Sequence, residues 1–194
     1  MTLSPEAHFR SVAPKYMRLF MSDFDASELD AAAVFGNFGY ECAGFTKLQE
    51  MKPVVKGSKG GYGWPQWTAD RRRAYEAYCR RNNLDPASDE ANYAYVFVEL
   101  TGPEKHAIPK LKRAKTLKGK VEAFEKAFER AGVKAYAKRL KWAEIALDAL
   151  RSAPATPIPA EPVLPRTDDP PAKEPWFTLI VRVVVEFLTG LFRK

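Results

Sequence analysis

Eight of the 15 prolines in this 194-residue chain fall between Ser152 and Pro175. Proline removes a backbone donor and fixes its own φ, so a stretch this rich in it stays extended and adds neither helix nor strand to a packed core. Any globular domain is thereby confined to residues 1–150, with 151–175 as a stiff linker and 176–194 as a separate appendage. The domain that is left is long enough to bury a real core. A hydrophobic fraction of 46%, with four Trp, eight Tyr and twelve Phe, excludes general disorder.

Helix signals dominate that domain. Ser4-Pro5-Glu6 opens a first helix, and Phe9, Val12, Tyr16, Phe20 and Phe24 recur every three or four residues as its buried stripe, with a bend expected at Pro14. Ser27, followed three residues on by Asp30, is an N-cap for a helix over 28–40. Thr68 is placed to cap a helix over 69–82. Ser88-Asp89-Glu90 starts another, with Tyr93, Val96, Phe97 and Leu100 on its apolar side and Gly102-Pro103 at its end. Thr116 opens a further one carrying Val121, Phe124, Ala127 and Phe128, and residues 136–150 form the last. The glycine-rich segment 46–62 reads as a loop or short hairpin, with a weak strand signal at 51–55. The expected fold is mainly α.

The segment 35–45, F-G-N-F-G-Y-E-C-A-G-F, carries one carboxylate, Glu41, in the last turn of the second helix. The carbonyl end of a helix disfavours negative charge, and Phe38, Tyr40 and Phe45 are near enough in sequence to exclude water; both effects favour a protonated carboxyl. Such a group is what a general acid needs to protonate a glycosidic oxygen. Asn37, four residues back on the same face, is positioned to orient it. On local physics alone the commoner fate of a helix-end Glu is solvation.

Further along stands G-G-Y-G-W-P-Q-W-T at 60–68. Flat rings such as Tyr62, Trp64 and Trp67 can stack on sugars, an amide such as Gln66 can bond their hydroxyls, and large aromatics equally serve as core. Taken together, the two segments resemble the phage tail lysozyme family, a branch of the lysozyme-like muramidases, over a span from about Tyr16 to the neighbourhood of Tyr136. Cys42-Ala43-Gly44 stands where that family has Ser-Gly, and Pro65 interrupts its Gly-Leu-x-Gln-Trp run. The resemblance implies a lysozyme-like α+β domain with a small hairpin or loop as one wall of a sugar cleft, and peptidoglycan as the partner. It implies Glu41 as catalytic acid, and Gln66 and Thr68 as cleft residues; with Asn37, Tyr62, Trp64 and Trp67 they make the expected substrate-binding set. Glu99 resembles the Glu of the family's H-E-L segment, a structural position. A second carboxylate is open among Glu50, Asp70 and Glu99, as is the choice between hydrolysis and lytic transglycosylation.

Other functions fare less well. A cysteine peptidase using Cys42 and His106 is disfavoured, because a nucleophilic thiolate wants a helix N-terminus or a cation, and Cys42 follows a helix C-terminus beside Glu41. An inactive wall-binding or membrane-disrupting basic protein is the non-enzymatic alternative. Two Cys and two widely separated His make a metal site a poor fit, and no cofactor is expected. The spacing of Gly57-Ser58-Lys59-Gly60-Gly61 does not match a phosphate loop. The net charge of +7 suits an anionic partner. Arg71, Arg72, Arg73, Arg80 and Arg81 around Tyr75 and Tyr78 could meet nucleic acid, but acidic residues are interleaved among the other cations and no nucleic acid is expected.

Residues 1–20 mix His8, Arg10, Lys15 and Arg18 into their apolar positions and do not read as a secretory leader. Action in the host envelope, as a virion component or a late lysis enzyme, would then need another route of delivery. The appendage running from Trp176 to Phe192 gathers Thr178, Arg182, Glu186, Thr189 and Arg193 on one narrow face. It is expected to be a hydrophobic amphipathic helix lying on an anionic membrane surface, with spanning, self-association or docking on the domain as alternatives.

Overall fold

The computed structural model describes residues 3–53 and 57–154. Among them the chain forms α1 (Pro5–Phe24), α2 (Glu28–Glu41), α3 (Ala69–Arg81), α4 (Asp89–Thr101), α5 (Ala107–Arg113), α6 (Leu117–Phe124), a π-helical turn (Glu125–Glu129) and α7 (Tyr136–Ser152). The Pro-rich linker from residue 155 on, the appendage 176–194, and Val54 and Val55 of the expected strand lie outside the described residues.

Helix starts follow local chemistry. The Ser4 hydroxyl accepts the Ala7 N–H at 3.2 Å with Pro5 at the first helical position. α1 runs through Pro14 as one helix. At α2 a full capping box forms: Ser27 Oγ accepts the Asp30 N–H at 3.2 Å, and Asp30 Oδ2 accepts the Ser27 N–H at 2.9 Å. Asp30 also takes Lys120 Nζ at 2.6 Å, which ties α2 to α6. Burial alone would push the Asp30 carboxyl up; the bonds from Lys120 and Ser27 outweigh it and hold the group below the ordinary carboxylate range. Ser88 and Thr116 cap α4 and α6 through their hydroxyls. Thr68 occupies the N-cap position of α3 but makes no side-chain cap bond, a correction to the expected role. Ala69, next to it, sits at φ 46, off the helical path, so the first-turn N–H groups are not presented to the hydroxyl. α5 was not anticipated; its Pro109 falls in the first turn, where the missing donor costs no helical bond.

α2 is the central rod. Every residue from Asp30 to Gly39 is buried, so it behaves as a core helix rather than an amphipathic one. It packs on α7, α6 and α1. Its crossing with α7 is closest at Gly36, where an added Cβ would lie 2.5 Å from Ala143 backbone atoms. Gly36→Ala is therefore expected to lower unfolding free energy by about 1–3 kcal/mol, the usual cost of overpacking, with the drop read by urea denaturation. An unchanged midpoint would mean that the crossing is looser than this.

Of the loop or short hairpin expected over 46–62, the described residues show loop. Isolated antiparallel bridges join Gln49 to Tyr62 and Tyr62 to Trp67, and no strand forms among the described residues. Side chains hold the segment instead of a ladder. Glu50 accepts the Gly61 N–H at 2.7 Å, Arg72 donates to the carbonyls of Lys59 and Gly60 at 2.6 and 2.9 Å, and Gln66 donates to those of Leu48 and Gly63 at 2.8 and 2.9 Å. Trp64 pins it from beneath: its ring stacks on Phe45 at 4.4 Å, and its backbone N–H donates to Asn92 Oδ1 on α4 at 2.8 Å.

Candidate active site

Glu41 is the last residue of α2. Where the sequence offered only apolar neighbours and a helix end, the fold supplies a cation from the far end of the domain. Arg139 on α7, wholly buried, donates through Nη2 to Glu41 Oε1. Its other donors are used as well: Nη1 bonds Asn37 Oδ1 at 3.0 Å and Nε bonds the Lys134 carbonyl at 2.9 Å, while the guanidinium lies over the Tyr40 ring at 4.8 Å. A fork fixed at three points holds the carboxyl in one orientation. The Glu41 side chain keeps 19% of its surface exposed, so it is anchored on one side and open on another.

Asn37 meets Glu41 through this arginine. Its amide nitrogen donates to the carbonyls of Ala33 and Val121 at 2.9 and 3.3 Å, and only its oxygen faces Arg139. With no exposed surface it orients the site from within.

A second ionic group lies behind. Glu99 on α4 is buried and accepts from Trp67 Nε1 at 2.6 Å and, with both oxygens, from Nε and Nη2 along one edge of the Arg71 guanidinium at 2.8 Å each. Arg71 continues to the Phe128 carbonyl at 3.1 Å and stacks over that ring at 4.5 Å. Glu99 thus has the structural position expected for it. Glu129, at the end of the π-helical turn, has a carboxyl pushed well above the ordinary range, first by burial and then by the negative charge of Glu41. The sequence reading did not single out Glu129, Arg139 or Arg71 as site residues.

The remaining expected residues separate into two groups. Trp64 and Trp67 are core: the first is fully buried among Phe45, Phe35 and Tyr16, the second against Tyr75 and Tyr95, and neither presents ring surface to a ligand. Tyr62 and Gln66 are half-buried on the loop and Thr68 is exposed. Of the carboxylates open as partners, Glu50 braces the loop and Asp70 pairs with Arg73 at the exposed start of α3. Cys42 is buried, donates to the Phe38 carbonyl at 3.1 Å, and has its thiol pushed up by burial; no thiolate is on offer. Among the described residues no group of three His, Cys, Asp or Glu is placed to hold a metal ion, and no helix is long and apolar enough to cross a membrane.

A family profile described as phage tail lysozyme matches residues 11–150. Comparison with curated proteins and with solved structures gave no match. The profile spans α2, the loop, the Glu99 network and Arg139, and covers most of the 194 residues. The chain therefore belongs to the phage tail lysozyme family, whose function is lysozyme-like and directed at the peptidoglycan of the bacterial wall.

Proposed function

We propose that this protein is an N-acetylmuramidase that cuts the glycan strand of peptidoglycan, with Glu41 delivering a proton to the bridging oxygen between sugars. The observation that carries this reading is the asymmetry of Glu41: a carboxyl gripped from below by a wholly buried arginine and left partly open above. A fixed carboxyl at the surface end of a rigid helix is pre-organised for proton transfer, which depends on heavy atoms meeting at hydrogen-bond distance. When the proton leaves, Arg139 stabilises the carboxylate left behind, and that carboxylate in turn faces the positive charge growing on the sugar ring.

Tyr62, Gln66 and Thr68 retain surface on the loop side and are the proposed sugar contacts. Trp64, Trp67 and Asn37 act as their support: the two indoles set the height of the loop and Asn37 sets the angle of Arg139. The apolar segment 176–194 is proposed, on its sequence alone, to bring the domain to an anionic bilayer surface.

Mass analysis of muropeptides released from purified wall tests the reaction class. Reducing ends on N-acetylmuramic acid are expected. Anhydro ends would reassign the protein to lytic transglycosylation, and cleavage confined to peptide bonds would overturn the glycan reading.

A further inference from the structure

Between Glu104 and Glu122 the chain has no Asp or Glu, while Lys110, Lys112, Arg113, Lys115 and Lys118 are all exposed. Of these only Lys112 faces a carboxylate among the described residues, that of Asp25 at 3.7 Å. Like charges crowded on one corner repel one another, a cost that a polyanionic surface removes. The corner is firmly built. Ala107 and Leu111 bury the inner side of α5. Lys112 Nζ donates to the Asp25 carbonyl at 2.6 Å, and the buried Lys120 of α6 reaches Asp30 at 2.6 Å and the Leu111 carbonyl at 3.4 Å. The cations are thereby displayed on packed elements beside the turn that joins α1 to α2.

The chain leaves the domain at that same turn. Arg151 Nε donates to Glu28 Oε2 at 3.1 Å, and Arg18 donates to the Ala153 carbonyl at 3.0 Å. Beyond lie the Pro-rich residues 155–175 and the apolar residues 176–194. The carboxylates at this end are engaged: Asp25 by Lys112, Glu28 by Arg151, Asp30 by Lys120, and Asp23 by the Tyr93 hydroxyl at 2.7 Å. Glu41 stands at the other end of α2. The 14 residues of that helix, each rising 1.5 Å, put it about 20 Å from Glu28.

We propose that the α5–α6 corner is a docking surface for an anionic phospholipid bilayer. Ammonium groups without protein partners meet the headgroup phosphates, and each adds its own share to binding. The attraction acts within a Debye length, about 8 Å at physiological salt, which suits cations on an exposed corner. A bilayer fits better than a nucleic acid for two reasons. The sequence 105–118 has no Phe, Tyr or Trp for a base to stack on. The apolar residues 176–194 also follow from this end, so two separate contacts reach a single lipid surface together. Docking by this end turns the Glu41 end of α2 away from the lipid and toward the wall. That consequence rests on the reading of Glu41 as the acid; the docking surface itself does not.

The test is cosedimentation of the full chain with vesicles of phosphatidylcholine, alone or mixed equally with phosphatidylglycerol. One variant carries Lys110→Gln, Lys115→Gln and Lys118→Gln together. Its charge-matched control carries Lys47→Gln, Lys138→Gln and Lys141→Gln, three exposed positions toward the Glu41 end. Wild type is expected to prefer the anionic vesicles, the corner variant to bind them about tenfold or more weakly, and the control to keep the preference. Binding to neutral vesicles is expected to be equal in all three, because only apolar contact acts there. A wild type without preference, or equal weakening in both variants, overturns the proposal. So does a corner variant that binds vesicles as wild type does but loses retention on duplex DNA, which assigns the surface to nucleic acid, or digests purified wall more slowly, which assigns it to the wall. Failure of the Glu41 reading shows separately, as wall digestion that survives Glu41→Gln, and leaves the vesicle result standing.

Discussion

Glu41→Gln is expected to lower the turnover of purified peptidoglycan by about 10²–10⁴-fold, the range for loss of a positioned general acid. The substitution keeps the shape of the side chain and an oxygen that can still accept from Arg139, while Arg139 retains Asn37 and the Lys134 carbonyl. The fold is thus expected to survive, and circular dichroism on the same sample separates a dead enzyme from a missing one. Cys42→Ala is the matched control. Its thiol is buried, bonded to the Phe38 carbonyl and driven away from the thiolate by burial, so removing it is expected to leave turnover intact. The opposite pattern, with lysis lost on removing the thiol and kept on removing the carboxyl, would return the chain to cysteine chemistry.

Arg139→Met carries the largest expected stability effect, a loss of about 3–5 kcal/mol, because removing one partner of a buried ion pair leaves the other without compensation. Two groups are orphaned at once: the wholly buried Asn37 loses the donor to its oxygen, and Glu41, with most of its side chain enclosed, loses its counter-charge. Met fills the volume of the stem but supplies no donor. Arg139→Lys is expected to fall between, since a single ammonium cannot reach Asn37, Glu41 and the Lys134 carbonyl with the geometry of a planar fork. Guanidinium unfolding curves measure the series. A loss under about 1 kcal/mol for Met, the scale of an exposed pair, would show that the pair is solvated.

How much of this was legible in the chain depends on the reach of the forces involved. Helix starts at Ser4, Ser27, Ser88 and Thr116 rest on bonds three residues long, and the sequence carries them. Thr68 departs from that pattern because the neighbouring Ala69 leaves the helical path. The loop in place of a hairpin was foreseeable only as one of two options, since what holds it are Arg72 and Asn92 from other helices. Whether Trp64 and Trp67 touch sugar or core was decided by Phe45, Tyr16, Tyr75 and Glu99, scattered over the domain. Arg139 did leave a trace: with Ala143, Ala146 and Leu150 it follows the buried stripe of α7, and a charge on such a stripe calls for a partner. Glu129 left none, because the π turn shifts register just where helical periodicity would have been used to place it.

Arg139 and Glu41 are 98 positions apart in the chain, and the arginine rides on the final helix of the domain. A ribosome making this protein therefore finishes the motif-bearing half long before the piece that braces it. Until α7 emerges and docks, the Glu41 carboxyl has no clamp. Premature stop codons or proteolytic nicks anywhere ahead of that helix would, for the same reason, yield fragments that retain the signature yet lack the arginine that braces it.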